Sequence, residues 1–300
     1  MSLLVSGTVA LDNVKTPLGE KRLMLGGSAS HFCMSASLFT KVSLSGVIGQ
    51  DFPSAHIELF KRKKVDLSSL MRLPGKTFQW DGEYKKGDLN SAITLATELG
   101  VLGGFKPCIA LAQRRLPYVF LANDDPQIQA QVLDQMIRPR FVGLDSMNLW
   151  ITHKRKELLE LIKKVDLFVA NDREAFMLSG EDNLIKAAKY LRQLGPALIV
   201  IKKGEHGVLF DGAPGRFAFP SFPVEEVVDP TGAGDTFAGG LMGFLAQAKK
   251  IDLATLKKGI CYATVLASFN VEGFGVQTTS RLTKAMIQKR LKHFIKFISL

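Results

Sequence analysis

The sequence predicts an α/β fold, a three-layer αβα sandwich whose central sheet is mostly parallel. Three observations point to it. Short apolar runs alternate with longer amphipathic ones through much of the chain, two stretches interrupt that alternation with period-two patterning, and the last third reads as helix. Unbroken apolar runs mark strands whose sheet is covered on both faces.

Residues 3–7 read as the buried first strand. A helix over 28–39, rich in Ala, Ser and Phe, follows the Gly26-Gly27 turn, and strand 42–48 with helix 54–64 closes a βαβ unit. The alternation resumes with strand 118–122, helix 126–136, strand 141–145, helix 154–164, strand 167–170, helix 182–194 and strand 197–201. Segments 13–25 and 73–102 break the rhythm. Their short alternation, as in Thr77-Phe78-Gln79-Trp80-Asp81-Gly82-Glu83-Tyr84, suits strands with one face exposed. Helices over 235–248, 253–270 and 280–297 complete the chain; the last is basic and amphipathic, with Ile287, Leu291 and Phe294 placed to pack on a core.

A hydrophobic content of 46% in 300 residues is enough for an ample core. Cys33, Cys108 and Cys261 are scattered and odd in number, which reads as buried thiols in a reducing compartment rather than as disulfides or a zinc site. Residues 1–10 lack the basic flank of a signal peptide, and no apolar stretch approaches membrane-spanning length, so the expectation is a cytoplasmic protein with no membrane partner. The net charge of +11 raises nucleic acid as a partner, but the lysines and arginines are dispersed, as at 61–64, 154–156, 163–164 and 249–250. No basic run is interleaved with aromatics, and no nucleic-acid partner is expected.

The richest functional signal is Asp229-Pro230-Thr231-Gly232-Ala233-Gly234-Asp235, followed by the small residues Ala238, Gly239 and Gly240. The amides of Gly232, Ala233 and Gly234 would surround an anion at the start of a long helix, where unpaired N–H groups and the helix dipole favour negative charge. Asp235 then stands in the first turn, beside that anion, in the position of a general base. Asp12, at the end of strand one, and the Gly26-Gly27 turn are candidates to hold the acceptor hydroxyl, because ligands of open α/β sheets sit at strand C-termini.

The Asp229–Gly240 run resembles the C-terminal signature of the ribokinase-like (PfkB) carbohydrate kinase family, and further landmarks follow the family's order from Asp12 to Asn270. The resemblance implies a single ribokinase-like domain over 1–300, in which 13–25 and 73–102 form a small β-sheet lid over the substrate that often pairs with a second subunit to make a homodimer. Asp12, Gly26 and Gly27 match the family's sugar-binding residues, and His31 stands where the family usually has Asn. Asn171 and Glu174 resemble the family's Asn-x-x-Glu motif, which organises Mg²⁺ through water. Lys202-Lys203-Gly204-Glu205-His206-Gly207 resembles its nucleotide loop, with Lys202, Gly204 and Gly207 as ATP-binding residues and two lysines where Thr-Leu is common. Asp229 and Thr231 match residues that give oxygens to a monovalent cation, K⁺, and Asp145-Ser146-Met147-Asn148 resembles an Asp-x-Asn segment without its usual Arg.

The resulting expectation is an ATP-dependent kinase that phosphorylates a hydroxymethyl group of a sugar, with a nucleoside kinase of the same fold as the alternative. Phe78 and Trp80 share a strand face and are placed either to stack on a base or to form lid core. A non-catalytic small-molecule sensor is the alternative from another class, opposed by the intact Asp235 and glycine triplet. Gly75-Lys76-Thr77 is not a P-loop, since Leu70 occupies the first glycine position. No G-x-G-x-x-G follows strand one and no G-x-S-x-G elbow is present.

Overall fold

The computed structural model describes residues 2–299, so both ends of the predicted 1–300 domain lie outside the described residues. In chain order, β1 (Ser2–Ser6) leads to the hairpin β2 (Ala10–Thr16) and β3 (Gly19–Gly26), then α1 (Ser28–Ala36), β4 (Lys41–Ile48), α2 (Ser54–Arg62) and β5 (Asp66–Arg72). A second hairpin, β6 (Gln79–Lys85) and β7 (Asp88–Glu98), precedes β8 (Tyr118–Leu121), α3 (Pro126–Gln135), β9 (Phe141–Asp145), α4 (Asn148–His153) and α5 (Arg155–Ile162). There follow β10 (Leu167–Asn171), α6 (Asp172–Ser179), α7 (Leu184–Gln193), β11 (Leu198–Lys202), β12 (Val208–Gly212) and β13 (Gly215–Phe219). Helices α8 (Ala233–Gln247), α9 (Leu253–Asn270) and α10 (Lys284–Ile298) end the chain.

Nine strands form the main sheet in the order β13-β12-β11-β10-β9-β8-β1-β4-β5. From β11 to β5 every pairing is parallel, and β12 and β13 add an antiparallel edge. The interior parallel strands are short apolar runs because both of their faces meet helices. Phe32, Leu241 and Ile260 pack with Val5 and Val200 on one face; Val132, Leu158 and Leu191 pack with Val119 and Ile199 on the other. The predicted three layers are therefore present, and α10 docks outside α9 through Ile287, Leu291 and Phe294.

Helix α8 lies unusually near α1. A Cβ on Gly243 would stand 2.9 Å from the Ala36 Cα, and one on Gly239 would overlap Ser35 and the Phe32 backbone. The small-residue stripe thus brings the start of α8 to the C-terminal edge of the sheet.

The segments read as a lid form a separate sheet in the order β3-β2-β6-β7, in which β2 and β6 run parallel. Three expectations need correction. Asp12 is not at the end of the first strand: the chain leaves the main sheet after Ser6, and Asp12 lies within β2 of the smaller sheet. The strands β5, β12 and β13 were not expected; β5 and β13 are sheet edges with little continuous burial, so their apolar patterning is weak. Cys108 is exposed, unlike Cys33 and Cys261, because it lies in the irregular segment between the smaller sheet and β8. Among the described residues no helix is long and apolar enough to cross a membrane.

Candidate active site

Gly232 is the N-cap of α8 and holds φ 72°, a left-handed conformation natural to glycine. From there the helix begins at Ala233, whose N–H turns back to Pro230, while Thr236 N–H bonds to the Gly232 carbonyl. The amides of Gly232 and Gly234 make no backbone hydrogen bond among the described residues. With 15 residues of aligned peptide dipole behind them, they form a cradle for an anion. A Cβ on Gly234 would lie 2.9 Å from Lys202 Nζ, so the bare backbone leaves the ammonium beside the cradle.

Asp235 stands in the first turn, half-buried at the sheet's C-terminal edge. Burial pushes its carboxyl up to about 7, nearby Asp145 adds to this, and Lys202 opposes it. A carboxyl with that balance exchanges protons near neutral pH, as a general base must.

Lys202 ends β11 and is paired in register with Asn171 at the end of β10. Its Nζ donates a 2.9 Å hydrogen bond to Asp145 Oδ2. Burial disfavours its charge, but Asp145 and Glu174 outweigh this and hold the ammonium above its ordinary range. Asn171 and Glu174 form a reciprocal capping box on α6: Glu174 N–H bonds to Asn171 Oδ1 at 2.8 Å, and Asn171 N–H bonds to Glu174 Oε2 at 2.7 Å. Burial drives the Glu174 carboxyl upward against the pull of Lys202. The ends of β9 and β11 and the first turn of α6 thereby deliver one cation and two carboxyls next to the start of α8.

On the opposite side of the cradle, Asp12 is buried and accepts the Gly27 N–H at 3.2 Å. Burial raises its carboxyl to about 7; the Gly27 bond lowers it, and Asp229, Asp235 and Asp81 add repulsion. Asp12 of the smaller sheet thus lies close enough to Asp229 and Asp235 to feel their charge. Tyr84 of β6 reaches the same place, its hydroxyl 3.3 Å from Thr231 Oγ1.

His31 lies beneath the cradle. A Cβ on Gly232 would overlap its ring, and its Nδ1 is 3.1 Å from Asn270 Oδ1. Its Nε2 is buried without a hydrogen-bond partner among the described residues, and burial depresses its basicity. Asn270 also accepts from Thr236 Oγ1 at 2.9 Å and donates from Nδ2 to the Thr231 carbonyl at 2.7 Å, so it ties α1, α8 and the cradle loop together. Asp229 is fully buried, accepting the Thr231 N–H at 2.8 Å and the Gly275 N–H at 2.9 Å.

Gly204 and Gly207 bound a short 3₁₀ turn after β11, closed by Lys203 N–H to the Gly207 carbonyl at 2.7 Å. The tip of the β6–β7 hairpin meets this turn and α6: Asn90 bonds to Glu205, and Arg173 bonds to Ser91. The smaller sheet therefore reaches over both sides of the cradle.

The predicted residues Asp12, Gly27, His31, Thr231, Gly232, Ala233, Gly234, Asp235, Asn171, Glu174 and Lys202 converge at this edge. Asp145, Tyr84 and Asn270 join them although sequence reasoning gave them no role. Asp145 had a signal in its place at a strand end; Tyr84 and Asn270 had none. No group of three or more His, Cys, Asp or Glu side chains is arranged to hold a metal among the described residues.

Comparison with known proteins supplies an independent view. Residues 128–283 match the sequence profile of the pfkB family carbohydrate kinases. A cytidine kinase from Thermococcus kodakarensis is 31% identical over 259 residues, covering 84% of this chain and 91% of that one. The crystal structure of a nucleoside kinase from Methanocaldococcus jannaschii, an archaeal member of the ribokinase family, superposes with a TM-score of 0.77 at 19% identity, covering 97% of this chain and 98% of that one. A putative ribokinase II from E. coli in complex with ATP and Mg²⁺ gives a TM-score of 0.78 at 17% identity, covering 99% of each chain.

Proposed function

Since this chain belongs to the pfkB family of carbohydrate kinases, and is thus an ATP-dependent phosphotransferase acting on a sugar or nucleoside hydroxyl, we propose that its acceptor is the hydroxymethyl group of a nucleoside. The observation that carries this choice is Trp80. Its indole rests on Gly82, where a Cβ would run into the ring, and so lies on the strand face that also carries Tyr84. Tyr84 touches Thr231 of the cradle loop, which puts an aromatic plane on the same side of the lid, positioned for a base to stack on. The likeness to a cytidine kinase over most of both chains agrees with this choice.

Asp12 and the Gly26-Gly27 turn would hold the ribose hydroxyls and aim the acceptor at Asp235. Asp235 would take the acceptor proton as the oxygen attacks phosphorus. The amides of Gly232, Ala233 and Gly234 would stabilise charge on the transferred phosphoryl, the main source of catalysis in such reactions. These residues suit ATP: the cradle is bare backbone at a helix N-terminus, with Lys202 beside it, and Gly204 and Gly207 shape the adjoining turn. Asn171 and Glu174 would steer Mg²⁺ through its water shell, which suits an ion that dehydrates reluctantly and needs no cage of protein ligands. When bound, ATP supplies the phosphoryl group and Mg²⁺ offsets its charge. Asp229, buried without an ion-pair partner among the described residues, and Thr231 would hold a monovalent cation such as K⁺. Strand β7 carries exposed Ile93 and Leu95, which would serve a homodimer formed through the lid.

The test is a panel of cytidine, uridine, adenosine, inosine, ribose and fructose with Mg-ATP, reading ADP release and the phosphorylated product. Highest kcat/KM on a nucleoside supports the proposal; a free sugar phosphorylated more efficiently than every nucleoside refutes it.

A further inference from the structure

At the N-terminal edge of the main sheet, opposite the edge that carries Asn171 and Lys202, lies a cavity of about 540 Å³. Its walls include Lys41 at the start of β4, Lys63 and Lys64 just beyond α2, Lys284 at the start of α10, and Phe39; among the described residues no acidic side chain lines it. None of the four lysines makes an ion pair among the described residues. We propose that this cavity is a second anion site, which binds a small molecule bearing a di- or triphosphate, apart from the catalytic cradle.

Four like charges around one cavity repel one another, and an anion placed between them removes that cost. Three details speak against solvated lysines that merely decorate helix ends. Lys61 and Arg62 already supply cations to the last turn of α2, so Lys63 and Lys64 exceed what its dipole uses. Lys64 holds φ 57° at the position after the helix where glycine is favoured, with Val65 N–H bonded back to Phe60. The chain thus carries a strained backbone there together with a long cationic side chain. Lys284 occupies the first position of α10, whose first turn contains no acid, so a cation stands at the positive end of a helix dipole. An anion would be welcomed there by both.

Lys63 is also partly buried, and that burial lowers its basicity in the absence of a counter-charge. The volume falls in the range of small-molecule sites, and Phe39 offers an apolar wall within it. Four lysines and one apolar wall make a patch much smaller than the extended basic face that a polynucleotide or a membrane would need.

The test is isothermal titration of tripolyphosphate into the full chain, with the catalytic site kept saturated by ADP and Mg²⁺. One binding event per chain is expected, weakened at least about tenfold in a Lys63→Gln/Lys64→Asn/Lys284→Gln variant whose kcat/KM for ATP stays within about twofold of wild type. Should that variant fail to fold, Lys284→Gln alone carries the same comparison. Absence of binding with ADP present, or equal binding by the variant, overturns the proposal. So does tighter binding of a single-stranded oligonucleotide or of phosphatidylserine vesicles through the same lysines.

Discussion

Lys202 Nζ lies 2.9 Å from Asp145 Oδ2, and this pair stands between the start of α8 and the strand end that carries Asn171. Its two members act in opposite directions on Asp235, whose carboxyl is raised chiefly by burial. Burial and Asp145 push the Asp235 carboxyl up to about 7, and Lys202 restrains it. A base acts when deprotonated, so kcat/KM should rise with pH through about 7. Lys202→Gln removes the restraint and should move that limb to higher pH. A pH profile of the variant with an unmoved midpoint would detach Asp235 from the titration.

Replacing Asp235 by Asn keeps the size of the side chain and the cradle amides but removes the proton acceptor. Turnover should fall by roughly 10² to 10⁴, while ATP binding, followed by calorimetry, stays within a few fold of wild type. Loss of ATP binding in parallel with turnover would instead make Asp235 part of the nucleotide site.

Asp12 provides a pH test of stability. Its carboxyl is raised from an ordinary 3.8 to about 7, chiefly by burial, so the folded chain keeps a proton that the unfolded chain releases between those values. The contribution is complete below about pH 3.8 and is lost as pH rises through about 7. The Tm of the ligand-free enzyme should therefore decline over that window, and Asp12→Asn should reduce the decline. Thermal scans with parallel slopes for the two proteins would contradict this.

Much of this architecture is legible in the sequence because buried parallel strands are unbroken apolar runs and the cradle is a compact local motif. Asp12 reads as the end of the first strand because apolar Val9, Ala10 and Leu11 continue that run and hide the point where the chain changes sheets. Asp145 could not be assigned because its meaning lies in Lys202, 57 residues away. Asn270 is similar: at the end of α9 it reads as a helix-terminating residue, and only folding reveals that it bridges His31, Thr236 and the Thr231 carbonyl. Contacts of this kind depend on register between distant elements, on which local patterning is silent.

The seat of Gly232 on His31 separates two reasons why that glycine is needed. Gly232→Ala meets a left-handed φ of 72° and a Cβ that overlaps the imidazole. The first cost, about 1–2 kcal/mol, belongs to the backbone and follows the alanine wherever it goes. The second belongs to the neighbour and disappears when the ring is removed. Gly232→Ala should lower kcat sharply by displacing the cradle amides. His31→Ala alone should lower Tm by opening a buried gap, since removal of a large buried side chain leaves a cavity that collapses incompletely. In the double variant the new methyl enters that gap, so kcat should recover part of the loss and the two effects on stability should be less than additive. Strictly additive losses in both kcat and Tm would mean that the imidazole does not support the cradle.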